Sequence, residues 1–413
     1  MLTALETGVK GGKWFSLIDK ICRVSNLKSS WNKVSSRNSS AGTDGVTISQ
    51  FEGRIEQELK YIRSKLSSGA YAPSLIKRIN IPKSGGKTRP LGIPTVRDRV
   101  IQGAVKNGIE PIFEKDFCKC SFGFRPGIGC KDALREVETL LKSGRTWVLD
   151  ADIQGFFDAI DHDILIKKIQ RNISDGKLID LILKYLKQGI LEGVSSWSPE
   201  KGTPQGAVLS PLLANIYLHD MDVLMEDMGF KIIRYADDFV VMCQSEHEAK
   251  LALKYIKKYM VTHKLKLHDT KTKIIDARDT EGFDFLGYNF SKDTRKWPTK
   301  KSMGKFKDVV RWHTKRKTRY GLKIIIERLN KQLRGWFEYF KHCYKHLFPM
   351  CDSWIRRRLR SILLGFNKKG IAHGGFENMR WPNAYFAKMN LFSLEEAHKR
   401  ACKSLFLNKK LNV

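Results

Sequence analysis

The chain has 413 residues, with 75 Lys+Arg against 43 Asp+Glu and a formal net charge of +32. That length suffices for two or three domains with real cores, and a hydrophobic content of 42% is ordinary for a soluble globular protein. The charge excludes a neutral-substrate enzyme without a polyanionic partner and points to nucleic acid. No apolar span of bilayer length is present, and Met1-Leu2-Thr3-Ala4-Leu5-Glu6 is no signal peptide, so a membrane is not expected as a partner. The eight cysteines show neither Cys-x-x-Cys nor Cys/His zinc spacing, which reads as reduced thiols of a cytosolic protein.

Residues 12–40 read as a short helical lead-in ending in the loop Ser35-Ser36-Arg37-Asn38-Ser39-Ser40. Phe51, Ile55, Leu59, Ile62 and Leu66 fall near helical spacing and predict one amphipathic helix over 50–67. Ile76 to Ile93 reads as two short strands about a turn at Ser84-Gly85-Gly86. Val100 to Phe113 is helical, Trp147 to Ile153 is a strand, and 163–192 carries two helical patterns. A helix opens at Pro211, where a first-turn proline is at home, and runs to Met228. Apolar runs then flank Tyr235-Ala236-Asp237-Asp238 as strands, a helix follows near 247–263, and Phe283 to Tyr288 adds one more strand. Composition shifts next: residues 291–320 hold 12 Lys+Arg and two acids, and a helix-rich tail begins at 322. Leu329, Leu333, Trp336 and Phe340 share a face, and Trp354 to Leu364 makes a second basic, amphipathic helix. The main boundary falls near 291–304.

Two adjacent carboxylates between apolar runs are costly unless they face water or a cation. Successive side chains of a strand point to opposite faces, so Asp237 and Asp238 serve one site only if the chain turns there. A hairpin tip with two carboxylates suits divalent metal and phosphoryl transfer, although a solvated turn carries the same pair. Asp152, ending Trp147-Val148-Leu149-Asp150-Ala151-Asp152, is the first partner. Three carboxylates from two strands can hold two Mg²⁺ about 3.5–4 Å apart, one sharpening a 3′-hydroxyl and one neutralising a triphosphate. Lys83 and Arg89 flank a glycine turn and can reach one anion together. Gly202-Thr203-Pro204-Gln205-Gly206-Ala207 is a close-approach loop in which Gln205 can hydrogen-bond a sugar or base. Ser121-Phe122-Gly123-Phe124-Arg125-Pro126-Gly127 brings aromatics and Arg125, suited to stacking on or steering a template strand. Each has a plainer reading: a strand-end carboxylate, a solvated basic hairpin, a helix-entry turn, a packed loop.

Ala41-Gly42-Thr43-Asp44-Gly45-Val46, the Lys83/Arg89 hairpin, Ser121 to Pro126, Asp152 to Asp158, Gly202 to Pro211, Tyr235 to Asp238 and Leu286-Gly287-Tyr288 occur in that order. In this the chain resembles the reverse transcriptases encoded by group II introns, from about residue 13 to 405. The resemblance implies an α+β right-hand polymerase, fingers and an antiparallel-sheet palm followed by an α-helical thumb or maturase domain. Its expected divisions are an N-terminal lead-in at 1–40, fingers and palm at 41–290, a basic linker and helical thumb/maturase domain at 291–365, and a C-terminal basic extension at 366–413, a candidate DNA-binding remnant.

The resemblance assigns Asp152, Asp237 and Asp238 as the catalytic, metal-binding triad, with backbone at Ile153 beside the metals and triphosphate. Asp150 and Asp158 stand close enough to Asp152 that swapped roles stay open. Lys83, Arg89, Gln205 and Lys271 are the expected dNTP ligands, and Phe157 the ring that closes against a ribose 2′-hydroxyl. Ala207 stands where many relatives carry a second glycine. Arg334 and Trp336, within Leu333 to Phe340, and Arg356, Arg357 and Arg358 match thumb segments expected to contact RNA, as Arg125 is expected to contact template or primer. Arg380 to Phe386 also resembles a segment of some relatives, without a physical role legible in the sequence.

The expected activity is RNA-directed DNA synthesis with Mg²⁺, Mn²⁺ being a substitute, joined to maturase action on the intron RNA that promotes splicing and retrohoming. Expected partners are group II intron RNA, an RNA template with a DNA or RNA primer, target DNA and dNTPs, in a bacterial cytoplasm and at the nucleoid. The zinc-bearing endonuclease module of some relatives is not expected, so a nicked or replicating strand would supply the primer. A reverse transcriptase adapted to a host task such as defence, and a splicing factor that only binds RNA, are the alternatives.

Overall fold

The computed structural model describes residues 12–411 apart from 38, 83–87, 280, 292–294, 317 and 367–375. The chain divides into two compact units, Met1–Ile275 and Asp276–Val413.

In the first unit, strands β1 (Ile76–Pro82) and β2 (Thr88–Ile93) pair antiparallel, with Arg89 opposite Ile81. The expected turn at Ser84-Gly85-Gly86, and Lys83 with it, lies outside the described residues. β1 also pairs in parallel with β4 (Ile190–Glu192), which continues into β5 (Ser195–Trp197). The second helical pattern expected within 163–192 therefore stops early: helices His162–Gln170 and Gly176–Leu186 are followed by a strand too short to show a period. The single helix expected over 50–67 is two. Ile48–Glu52, opened by a Thr47/Gln50 capping box, ends at Gly53, and Ile55–Ser68 begins anew.

A second sheet has the order β6-β7-β3-β8, from Lys231–Tyr235, Asp238–Cys243, Trp147–Asp152 and Lys273–Asp276. β7 pairs antiparallel with both β6 and β3. Phe239 to Cys243 are fully buried, as a continuous apolar run demands of a central strand covered on both faces. Helices Cys130–Lys142, Ser210–Asp227 and Glu246–Thr262 pack on this sheet. The last opens with Ser245, whose hydroxyl accepts from Glu248 N, and with Glu246 and Glu248 facing the positive helix end.

The second unit begins upstream of the compositional shift at 291–304, because its small sheet packs with the helices that follow. β9 (Phe283–Phe285) and β10 (Tyr288–Phe290) form a hairpin where one strand was expected; Leu286 and Gly287 turn it at φ 48° and 78°. β11 (Lys296–Pro298) completes the sheet, Tyr344 N donates to Lys296 O at 2.8 Å, and the Tyr288 ring lies 5.0 Å from Phe340. Helices Lys300–His313, Leu322–Phe340 and Leu347–Phe366 follow, the last longer than the expected Trp354–Leu364. The Arg380–Phe386 segment acquires a structural role here. The buried Arg360 donates to Trp381 O at 2.9 Å and Asn383 Oδ1 at 3.0 Å, and its guanidinium lies 5.3 Å from the Phe386 ring centroid.

Candidate active site

The β6–β7 hairpin turns in two residues, because Tyr235 and Asp238 are already paired. Ala236 accommodates the turn at φ 61°, in the left-handed region. Gly123 is pressed against it: a Cβ there would stand 2.3 Å from Ala236 N. Below the turn, Arg234 is wholly buried. Its Nε donates to Asp222 Oδ1 at 2.7 Å, its Nη1 to Asn215 Oδ1 at 3.0 Å and Ala236 O at 2.9 Å, and its Nη2 to Ser121 Oγ at 2.7 Å. Asn215 Nδ2 in turn donates to Gly123 O at 2.8 Å. Burial opposes the guanidinium charge, but Asp222 beside it raises the pKa overall. One side chain thus ties the helix carrying Asn215 and Asp222, the Ser121 loop and the Ala236 turn together. Sequence reasoning passed over Arg234; the signal was an arginine within Ile232-Ile233-Arg234-Tyr235, where a charge must be paired.

The turn brings both aspartates to the end of β3, where Asp152 sits opposite Asp238. Burial raises the Asp237 pKa, with Asp152 adding to the rise and Arg89 opposing it. Asp238 is pushed up to about 7, by burial first and then by Asp150, Asp237 and Asp152, against Lys271. Lys271 Nζ pairs with Asp152 Oδ2 at 2.7 Å. Its loop is pinned to the strand end: Gln154 N donates to Lys266 O and His268 N to Asp152 O, each at 2.8 Å. Asp150 is felt by Asp238 from one pleat back, while Asp158 is exposed on the turn of helix after β3.

Arg89 Nε donates to Gln205 Oε1 at 2.9 Å, and Gly92 N to Gln205 O at 2.7 Å, so strand β2 and the Gln205 loop form one wall. A cavity of about 920 Å³ has Arg89, Phe157, Gln205, Gly206 and Asp237 in its lining. Phe157 is half-buried, its ring centroid 5.5 Å from that of Phe156 and its carbonyl accepting from Thr203 N at 2.7 Å. Ile153 is buried and lies across from Leu267 in an isolated bridge. Ala207 is buried in the loop, its methyl accommodated.

Several residues expected on template or RNA also have partners within the protein. Arg125, expected on the template, donates to Glu114 at 2.8 Å and to the carbonyls of Cys118 and Ser121 at 2.7 and 2.8 Å. Trp336, expected on RNA, packs its ring 4.3 Å from Phe306 and 5.0 Å from Phe340, inside its own unit. Arg358 donates to Thr314 Oγ1 and Thr314 O at 3.0 and 2.9 Å, closing the end of helix Lys300–His313. Arg334 lies over Phe392 at 4.6 Å and lines a groove with Lys341 and Arg400, while Arg356 is half-buried and Arg357 exposed. Among the described residues no helix is long and apolar enough to cross a membrane.

A carboxylate cluster at a hairpin tip, a cationic wall and an α+β frame define a nucleic-acid polymerase site, and residues 81–290 match the family "Reverse transcriptase (RNA-dependent DNA polymerase)". The chain belongs to that family, and residues 303–371 match "Group II intron, maturase-specific domain". It is homologous to group II intron-encoded proteins: it is 33% identical over 334 residues to the group II intron-encoded protein LtrA of Lactococcus lactis, covering 65% of this chain and 55% of LtrA. It is 35% identical over 286 residues to protein YkfC of Escherichia coli, covering 60% of this chain and 74% of YkfC. A putative COX1/OXI3 intron 1 protein of Saccharomyces cerevisiae is 30% identical over 259 residues, 62% of this chain and 30% of that protein. The chain thus spans most of YkfC but little more than half of LtrA.

Proposed function

We propose that the chain is an RNA-directed DNA polymerase that joins a primer 3′-hydroxyl to a dNTP α-phosphate with release of pyrophosphate. The observation that carries this reading is the convergence of Asp152, Asp237 and Asp238, whose charges raise one another's cost in a partly buried site. Such a cluster of hard oxygen donors is costly by itself and fits Mg²⁺. Asp152, Asp237, Asp238 and the Ile153 backbone would hold two such ions, with Mn²⁺ as substitute. Bound there, the metal supplies charge neutralisation at the triphosphate and acidity at the 3′-hydroxyl.

Arg89 and Gln205 act as a preassembled pair, the guanidinium on phosphate oxygens and the amide on sugar or base. Lys83, which lies outside the described residues, would join Arg89 on the triphosphate. Phe157 holds the sugar edge of the cavity, and Lys271 is placed to leave Asp152 for the departing pyrophosphate. The same chain would bind group II intron RNA as a maturase, through basic residues of the second unit such as Arg334, Arg356 and Arg357, and act on RNA templates and target DNA in a bacterial cytoplasm. The family match over 303–371 supports the intron RNA as partner.

Primer extension on an RNA template with Mg²⁺ tests the polymerase reading. Extension by the wild type and none by Asp237→Ala is expected; equal extension by both overturns it.

A further inference from the structure

His219, Asp222 and Glu226 stand at i, i+3 and i+7 on the helix Ser210–Asp227 and therefore share a face. Asp222 is spent on Arg234. The residues on either side of it meet the loop Cys118-Lys119-Cys120. Cys118 Sγ, Cys120 Sγ and a Glu226 carboxylate oxygen all lie within 4.8 Å of one another. His219 lies against Cys118, its ring held edge-on by Phe117 at 5.6 Å, and its buried Nδ1 has no hydrogen-bond partner among the described residues.

The loop presenting these thiols is anchored at its backbone. Cys118 O accepts from Ser121 N at 3.2 Å and Arg125 Nη1 at 2.7 Å, and Cys120 O accepts from Arg234 N at 2.8 Å. Arg125 helps hold the loop. Glu226 is exposed and Cys118 half-buried, so an ion has a way in.

We propose that Cys118, Cys120, Glu226 and His219 form a binding site for one zinc-class divalent ion. Sulfur, imidazole nitrogen and carboxylate oxygen are the donors such an ion takes, and thiolates select against Mg²⁺. Tetrahedral bonds of about 2.3 Å to sulfur and 2.0 Å to nitrogen or oxygen put donors roughly 3.3–3.8 Å apart. Cys118, Cys120 and Glu226, whose donor atoms lie within 4.8 Å of one another, would draw together on binding, with His219 as the fourth donor. Binding there requires the thiols to give up their protons to solvent, so affinity rises with pH.

The ion would clamp the 118–121 loop to the helix that carries Asp222 and Asn215. That is the ground on which Arg234 stands, so the metal braces the floor of the Ala236 turn without touching the reacting groups. Its chemistry is distinct from that of the aspartate triad, and it stands or falls independently of the polymerase reading.

The test is titration of the metal-free full chain with Co²⁺ in the presence of Mg²⁺. One equivalent is expected to produce thiolate-to-cobalt charge-transfer absorption with tetrahedral visible bands, displaced by Zn²⁺. Asp237→Ala keeps these bands, and Cys118→Ser combined with Cys120→Ser loses them. His219→Ala, which leaves both thiols in place and does not depend on the double variant folding, weakens Zn²⁺ by at least the roughly 10–100-fold seen for loss of even an outer-shell partner. No thiolate band in the wild type overturns the proposal. So does a band that survives in the double variant, which assigns the metal to other cysteines. So does Zn²⁺ affinity unchanged in His219→Ala, or a Cys118–Cys120 disulfide that forms under reducing buffer in place of metal binding.

Discussion

Lys271 Nζ lies 2.7 Å from Asp152 Oδ2, so an ammonium group occupies the strand-end carboxylate that the metal would claim. The pair is more than a third exposed on both sides, which makes it worth at most about 1 kcal/mol. Lysine and cation therefore compete weakly for one oxygen. Lys271→Ala should tighten metal binding to the nucleotide-free protein by up to about fivefold, the equivalent of that energy. It should at the same time slow primer extension, because the leaving pyrophosphate loses its cation. Isothermal titration with Mn²⁺ and single-turnover extension on the same preparation check both signs; metal affinity that falls along with rate would contradict the competition.

Asp238 is pushed up from its ordinary 3.8 to about 7, chiefly by burial and then by Asp150, Asp237 and Asp152. The unfolded chain releases this proton first, so the native state binds more protons over that window and loses stability as pH rises. In chelator, the thermal midpoint should fall between pH 5 and pH 8 more steeply for the wild type than for Asp238→Asn, which has no proton to release. The variant should also be the more stable of the two at pH 8 while making no DNA. Parallel pH profiles for the two proteins would show that the carboxylates do not strain the metal-free site.

Arg234 and Asp222 form a wholly buried ion pair in which Arg234 also supports Ala236 O. Asp222→Asn leaves a guanidinium without its counter-charge, and breaking one side of such a pair costs about 3–5 kcal/mol. Replacing both, as Arg234→Met with Asp222→Leu, removes the buried charges together and should cost much less than the two single changes summed. Urea unfolding measures this coupling. Activity should remain low in the double variant even if stability recovers, since the hydrogen bond to Ala236 O is gone.

The hairpin was legible because two adjacent carboxylates between apolar strands demand a turn, whereas the choice of Asp152 over Asp150 and Asp158 came from the family resemblance and not from spacing. The hairpin's support was not legible. Arg234 advertised a buried charge, but nothing local says that Asp222, Asn215 and Ser121 satisfy it from two other segments. The internal partners of Arg125, Trp336 and Arg358 were not legible for the converse reason. Residue type shows that a guanidinium or an indole seeks a partner, and the chain's own carbonyls and rings met that need before RNA did. Strand β4 was missed because three residues carry no period, and the Glu226 that joins Cys118 and Cys120 lies on a distant helix.

Phe157 supplies the last prediction. Its carbonyl is fixed by Thr203 N, its ring is braced against Phe156, and it shares the cavity with Arg89, Gln205 and Asp237. Gly202 lets that support come close: a Cβ there would stand 2.9 Å from Phe157 O. With its backbone fixed by Thr203 and its ring against Phe156, the side chain has little room to retreat from a ribose 2′-hydroxyl, so discrimination here would be steric. A pocket that rejects one added hydroxyl by shape alone discriminates by about 100-fold. Phe157→Ala should therefore lower the ratio of dNTP to rNTP kcat/KM by about that factor, mainly by improving rNTP use, with Asp237-dependent chemistry intact. Phe157→Tyr, which keeps the ring, should retain most of the selectivity. If Phe157→Ala instead loses dNTP activity and gains no rNTP incorporation, the ring is a packing element and the sugar is read elsewhere.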